Sequence, residues 1–152
     1  MRKLGILGVL LALGLGGSMS VAQKAKTVMP TVASASVPFY PRLAPSARIQ
    51  GDVVLRVSTD GQRVSAVEVE SGPSMLAQAA KDNVKTWQFE PHTPTSFEVT
   101  FHYKLLLPKC DSECNCDSEE KESVLLQLPT NVDVSAKIPA ICDPTVKVES
   151  KR

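Results

Sequence analysis

The sequence predicts an α+β fold: a short helix, two strands, a second helix and a third strand, followed by an added hairpin. Three observations predict it. Apolar and polar residues alternate in several segments, which is the two-residue period of strands. One segment instead repeats its apolar residues at helical spacing. An Asp60-Gly61 turn joins the first two alternating segments, where glycine accepts the positive φ of a tight hairpin.

The chain opens with a segment typical of a signal peptide, residues 1–22. Two basic residues precede an apolar run from Leu4 to about Gly17, and a small-residue site ends at Ala22. The run is shorter than the ~20 residues of a spanning helix. We therefore expect cleavage and export to the periplasm, with an uncleaved inner-membrane anchor as the alternative. Residues 23–37 are small and polar, and we expect a flexible leader there.

Residues 38–107 carry the main pattern of the fold. Pro45 interrupts the first helical segment because proline lacks an N–H and clashes with the preceding turn, so we expect a short helix that ends by Gly51. The hairpin that follows places Val53, Leu55 and Val57 on one face of its first strand. One side of this hairpin must be covered.

The segment LAQAAKDNVKTWQFEP supplies that cover. Its apolar stripe consists of Leu76, Ala80, Val84 and Trp87. After Pro91 the segment SFEVTFHYKLL alternates more regularly than any other part of the chain. Its apolar face consists of Phe97, Val99, Phe101, Tyr103 and Leu105, and its polar face of Glu98, Thr100, His102 and Lys104.

Several short motifs in this region together resemble the C-terminal domain of TonB-type energy transducers. They are Tyr40-Pro41, Gly51, Asp60-Gly61, Ser71-Gly72, Ala79-Ala80 and Trp87-Gln88-Phe89-Glu90-Pro91. The resemblance covers about residues 38–107 and implies two helices packed on a three-stranded antiparallel sheet. It also implies a structural junction between helix and sheet made by Tyr40, Gly51, Gly61, Trp87, Phe89 and Pro91. Lys81 and Asn83 depart from the family, which tends to be apolar or small there, so we expect that flank of the helix to be solvated.

The resemblance implies a binding function and no enzymatic activity. In the family the last strand is an exposed edge that pairs with a short segment of an outer-membrane receptor, a mode in which backbone bonds give affinity. The corresponding partner-binding edge strand here consists of Phe97, Glu98, Val99, Thr100, Phe101, His102, Tyr103 and Lys104.

We therefore predict a periplasmic adaptor that pairs with a cell-envelope protein such as an outer-membrane receptor. An open edge would also allow a homodimer formed by strand exchange. The alternative is an anchored component of a TonB energy-transducing transport system. Against that alternative, the leader is short and spans roughly 50 Å even when fully extended.

Residues 108–152 form an extension that the family domain does not require. Alternating apolar residues on both sides of Pro129 predict a further hairpin. We hypothesise that Ser123–Leu128 lies along the edge of residues 97–106, where a receptor segment would otherwise bind, because an open edge invites uncontrolled pairing.

Four cysteines lie in the extension: Cys110, Cys114, Cys116 and Cys142. Four cysteines allow three complete pairings. We favour Cys116–Cys142 with Cys110–Cys114, since the first bridge would tie both ends of the hairpin and exported thiols oxidise. The second alternative for the whole protein is a cysteine-based metal-binding or redox protein. The Cys-x3-Cys-x-Cys spacing lacks the paired spacing of zinc sites, so we predict no metal and no cofactor.

Composition and the two histidines exclude other classes of function. The formal net charge is +1, without the basic patch that nucleic acid binding requires. His92 lies in a turn and His102 on the polar face of a strand, and neither has a nucleophile beside it in the sequence. We predict no catalytic residues.

Overall fold

The computed structural model describes residues 29–111, 113–117 and 119–141. These residues form an α+β fold built mainly from strands, with two helices. In chain order the elements are β1 (Val32–Ser34), α1 (Leu43–Ser46), β2 (Gly51–Thr59), β3 (Val64–Ser71), α2 (Ser74–Val84), β4 (Gln88–Phe89), β5 (Ser96–Leu106), β6 (Lys109–Cys110), β7 (Cys116–Asp117), β8 (Val124–Gln127) and β9 (Asn131–Lys137).

A five-stranded sheet in the order β3-β2-β5-β9-β8 forms the centre of the fold. The β2–β3 hairpin is antiparallel, and its turn is held by Asp60, whose Oδ1 accepts the backbone N–H groups of Gln62 and Arg63 at 3.0 and 2.8 Å. Gly61 has a φ of +112°, and a Cβ there would stand 2.7 Å from the carbonyl oxygen of His92. The turn therefore needs glycine both for its backbone conformation and for this close approach.

Helix α2 covers β2 and β3 with its apolar stripe. Leu76, Ala80 and Val84 have no exposed surface, and the chain then passes through Trp87, which is 1% exposed. The other half of the sheet is approached by residues 38–45, from which the ring of Tyr40 meets that of Tyr103 edge-on at 5.2 Å. Both halves of the sheet thus contribute to a single buried core.

The sheet differs from the predicted three-stranded antiparallel sheet because the tail adds two strands. β9 joins β5 in parallel, and β8 pairs with β9 on the outside. After β5 the chain first forms β8, which lies at the outer position and runs antiparallel to β5. It then turns back and forms β9 between β5 and β8. Parallel neighbours need a long crossover connection, and residues 107–130 provide it.

The predicted flexible leader also differs from the structure at its C-terminal end. Val32 and Ser34 of β1 pair with Phe89 and Gln88 of β4. Ser36 then bonds Thr86 through its backbone N–H and its hydroxyl, at 3.2 and 2.7 Å. The folded part therefore begins before residue 38, and this segment holds the end of α2.

Three of the sequence predictions concern residues that lie outside the described part of the chain. These are the signal segment 1–22, the start of the leader and Cys142. Within the described ranges, no helix has the length and apolar character to span a membrane.

Candidate functional site

Strand β5, the predicted partner-binding strand, has one buried and one polar face. Phe97, Phe101 and Tyr103 are buried against the core, as its alternating sequence predicts. On the polar face His102 Nδ1 lies 2.8 Å from Asp52 Oδ1 on β2. The strand is therefore fixed in the sheet by its side chains on one face and by a cross-strand contact on the other.

Both long sides of β5 are paired, so the strand is not the exposed edge that we predicted. β2 pairs with residues Ser96–Tyr103 on one side. On the other side β9 runs parallel to β5, from Thr100 opposite Asn131 to Leu106 opposite Lys137. The tail strand thus occupies most of the position at which a partner strand would add.

The register of β5 with β9 shows why this pairing is tight. Val132 lies opposite Phe101, and Val134 opposite Tyr103, and the two valines are 0% and 2% exposed. Backbone hydrogen bonds add to these side-chain contacts: the N–H of Thr100 donates to Thr130 O at 2.8 Å. The apolar residues of β9 are thus part of the core beside β5.

Only the beginning of β5 lies beyond the end of β9. The ladder with β9 starts at Thr100, so Phe97, Glu98 and Val99 are not paired with the described part of the tail. Because alternate residues of a strand point their backbone groups to the same side, Glu98 follows Thr100 in facing the β9 side. This open portion is too short for the extended pairing that strand addition uses.

The hypothesis that Ser123–Leu128 covers the edge of β5 is wrong, because the other strand of the hairpin covers that edge. The predicted hairpin is present, but its second strand contacts β5 and its first strand lies outside. β9 alternates cleanly between buried apolar residues and half-exposed polar ones such as Asp133 and Ser135. That clean alternation, compared with the consecutive Val124-Leu125-Leu126 in β8, is the sequence signal for the inner strand.

An aromatic layer lies behind β5. Phe101 stacks between Trp87 and Tyr103, with ring centroids 6.4 and 6.1 Å away. The hydroxyl of Tyr40 donates to Ile49 O at 2.8 Å, and burial raises the pKa of Tyr40 to about 12. Burial also raises the pKa of Tyr103 above its usual range, and its hydroxyl has no hydrogen-bond partner among the described residues. Both tyrosines are therefore neutral groups of the core at physiological pH.

The junction at Trp87 contains a polar group that sequence reasoning placed in solvent. Asn83 is 6% exposed, and its Oδ1 accepts the indole Nε1–H of Trp87 at 3.0 Å. Its Nδ2 donates to Ser36 O at 2.9 Å. The expectation of a solvated flank is therefore wrong at Asn83, because a buried indole needs an acceptor. The signal was the four-residue spacing of Asn83 and Trp87, because a turn that follows the end of a helix at this spacing keeps both side chains on the same side.

The other predicted junction residues lie in different parts of the same core. Phe89 is buried and meets Phe97 edge-on at 6.0 Å, while Pro91 is exposed in the turn that follows. Gly51 begins β2 with a φ of +130°. The structure thus places Tyr40, Trp87 and Phe89 at separate points of one core, and leaves Pro91 outside.

The cysteine pairing that we favoured is wrong. Cys110 and Cys116 form a disulfide across the β6–β7 pair, where they are directly opposite each other. Asp111 closes the loop between them: its Oδ1 accepts the backbone N–H groups of Glu113 and Asn115, each at 2.9 Å. Because this turn brings Cys110 opposite Cys116, it favours a bridge between these two cysteines. Cys114 is also disulfide-bonded.

The described cysteines, histidines and carboxylates do not form a metal centre. No group of three such residues is placed to hold an ion in the described ranges. The hydrogen bonds of Asp111 from Asn115 lower the pKa of its carboxyl group, which is then a charged acceptor for the loop. Asp111 therefore serves the local structure beside the disulfide.

Comparison with known proteins identifies one family. Residues 36–105 match the family model described as the Gram-negative bacterial TonB protein C-terminal. This range extends from the segment that contacts α2 to the end of β5 and excludes the β8–β9 hairpin. Among curated proteins, none matches the chain.

Proposed function

Since residues 36–105 belong to the TonB C-terminal domain family, we propose that the protein is a periplasmic adaptor that binds another envelope protein by pairing of β-strands. The family is a non-enzymatic domain associated with transport and with contacts between envelope proteins. The proposal specifies how this chain makes such a contact and how the contact is controlled.

The observation that carries the proposal is the parallel pairing of β9 with β5. Seven consecutive positions of β5, Thr100–Leu106, accept a strand from the chain's own tail. The outer side of β5 is therefore a competent acceptor of an added strand, with alternate pockets for side chains such as Val132 and Val134. We propose that the acceptor site extends over residues 97–106, and that the tail occupies Thr100–Leu106 of it until a partner strand replaces the tail.

Replacement of the tail has a physical route. The open beginning of β5 at Phe97–Val99 lies at the end of the acceptor site, where a partner strand can start to pair before β9 has left. The links from the preceding loop are exposed ion pairs, Lys104 with Glu120 and Lys109 with Glu119, each at 2.8 Å. Exposed pairs contribute little to stability, so the main cost of release is the burial of the β9 side chains.

The experiment that tests this function is crosslinking in intact cells. A photoreactive residue in place of Glu98, which is exposed at the open end of the acceptor site, should recover an envelope protein. Ending the chain after Leu107, just beyond the part that matches the family, should increase the yield. The same photoreactive residue in place of Glu68 on β3 is the matched control, because it is also exposed but lies on the opposite edge.

The outcomes separate the proposal from its alternatives. Recovery of no envelope protein from either chain would reject the adaptor function, and equal recovery from Glu68 would place the contact away from β5.

The cell fraction in which the protein is found reports its location. A chain in the periplasmic fraction that begins at Gln23 supports the adaptor, whereas a chain that begins at Met1 in the inner membrane supports the anchored transport component.

A further inference from the structure

Among the described residues no strand pairs with the outer side of β8, so one long side of the sheet is open there. The backbone N–H of Ser135 donates to Ser123 O at 2.9 Å, which marks this pair as a hydrogen-bonded pair of the antiparallel ladder. Bonded and non-bonded pairs alternate in such a ladder. Leu125 therefore directs its backbone groups to β9, whereas Val124 and Leu126 direct theirs away from the sheet. The free edge presents the N–H and C=O groups of these two residues.

The side chains of this edge are apolar. Val124 and Leu126 are each 38% exposed, and Leu125 is 54% exposed. The first two share the core face of the sheet with Val132 and Val134, their cross-strand partners. Leu125 lies on the other face, opposite Asp133. An edge with open backbone groups, apolar side chains and no charge is a template for another strand.

We propose that β8 joins two copies of this chain, which pair antiparallel about a two-fold axis so that their sheets become continuous. The inference is independent of the function proposed for β5. In the proposed register Leu125 lies opposite Leu125 of the second copy, and Val124 lies opposite Leu126 of the second copy. The outward-directed groups of Val124 and Leu126 then form about four backbone hydrogen bonds across the axis.

Self-complementarity is the reason for choosing a second copy as the occupant. An isologous interface must pair the same segment with itself, and like charges that lie directly opposite each other would oppose it. In this register Ser123 faces Gln127 and Glu122 faces Leu128, so no charge meets a like charge. Moving the register one step along the edge would instead place Leu126 opposite itself and Leu125 opposite Gln127, so the more exposed Leu125 would lose its apolar partner.

A groove on the core face supports the same register. A cavity of about 430 Å³ opens beside Val124, between residues 38–45 and the end of the hairpin. Phe39 lines it and is 62% exposed. Since Leu126 of the second copy would lie opposite Val124 on this face, its side chain would meet the mouth of the groove. The dimer thus buries the apolar side chains of both faces of β8.

Leu125 provides the test, because it is exposed in one copy and opposite itself in two. The full chain, as recovered from cells, should sediment as a dimer in analytical ultracentrifugation. Leu125→Lys should raise the dimer Kd by roughly tenfold or more, because two lysines then face each other where two leucines were in contact. Leu125→Glu should do the same. Mixing the two variants should restore a dimer, since a lysine then faces a glutamate.

Val69→Lys is the matched control, as Val69 is 45% exposed on the opposite edge strand and should leave the mass unchanged. A wild-type protein that is monomeric at all concentrations overturns the proposal. A dimer that persists in Leu125→Lys also overturns it, and so does a mixture that stays monomeric. If the wild type is monomeric but Leu125→Lys loses crosslinks to an envelope protein, the edge binds that protein and not a second copy.

Discussion

The two edge strands of the sheet, β3 and β8, meet solvent in different ways. β3 carries Glu68 and Glu70 on its polar face, and Arg56 of the neighbouring β2 forms ion pairs with Glu70 and with Glu98. The pairing of β3 with β2 also contains two register shifts. β8 has the sequence VLLQ, without a charged residue, and its register with β9 is regular.

This difference decides whether each edge can pair with a strand of another chain. Charges and bulges are two devices by which proteins prevent an edge from pairing with another chain, and β3 has both. β3 belongs to the part of the chain that matches the family, whereas β8 belongs to the added tail. The tail therefore covers one edge, that of β5, and creates a new edge that has neither device.

The largest expected effect concerns the helix-covered half of the sheet, to which β3 belongs. Trp87→Ala should lower the free energy of unfolding by about 3–5 kcal/mol, because it removes a buried indole and leaves a cavity. It also leaves Asn83 Oδ1 without the bond from Nε1. Urea denaturation measures the loss, and Leu43→Ala at an exposed position is the control, expected within about 0.5 kcal/mol of the wild type. A loss below about 1 kcal/mol would mean that the indole does not hold helix and sheet together.

A smaller effect is expected in the half that the tail provides. Val132→Ala removes two fully buried methyl groups and should cost roughly 2 kcal/mol. Because β9 lies between β5 and β8 and shares the core, we expect one cooperative transition. Leu107→Ala, at an exposed position between β5 and the tail, is the control. A separate early transition in Val132→Ala would show that the hairpin unfolds independently of the sheet, which would make release from β5 easier than the buried valines indicate.

The sequence predicted the parts of the fold that local patterns determine. The β2–β3 hairpin, the stripe of α2 and the alternation of β5 each depend on neighbouring residues, and the structure has all three. The order of strands in the sheet depends on more than local pattern, although the cleaner alternation of β9 indicates the inner strand. Both strands of the tail hairpin have an apolar face, and the choice between them is made by the connection at residues 107–123, which places β8 outside before β9 returns.

Asn83 and the pairing of the cysteines show the same limit of local patterns at the scale of single residues. Asn83 was assigned to solvent because the family tends to be apolar or small at its position, yet the indole of Trp87 requires its oxygen. Cys110 and Cys116 were assigned to other partners, yet the Asp111 turn brings them opposite each other. In both cases a hydrogen bond between residues close in sequence decided the outcome, and composition and hydrophobic period do not encode such bonds.

The smallest effect on stability, and the most direct test of the difference between the edges, comes from removing the charges of β3. Glu68→Thr combined with Glu70→Thr keeps residues that favour strands and should change the free energy of unfolding by less than about 1 kcal/mol, since the ion pair of Glu70 with Arg56 is exposed. It should nevertheless allow β3 to pair with β3 of another copy. A copy with two pairing edges can bind a neighbour at each, so species larger than a dimer should appear in sedimentation as concentration rises. The same change of net charge at Glu119 and Glu120, which also form exposed ion pairs, should not produce them. If the β3 variant keeps the wild-type mass at every concentration, the register shifts close this edge without help from its charges, and the lack of such a shift in β8 becomes the feature that leaves it open.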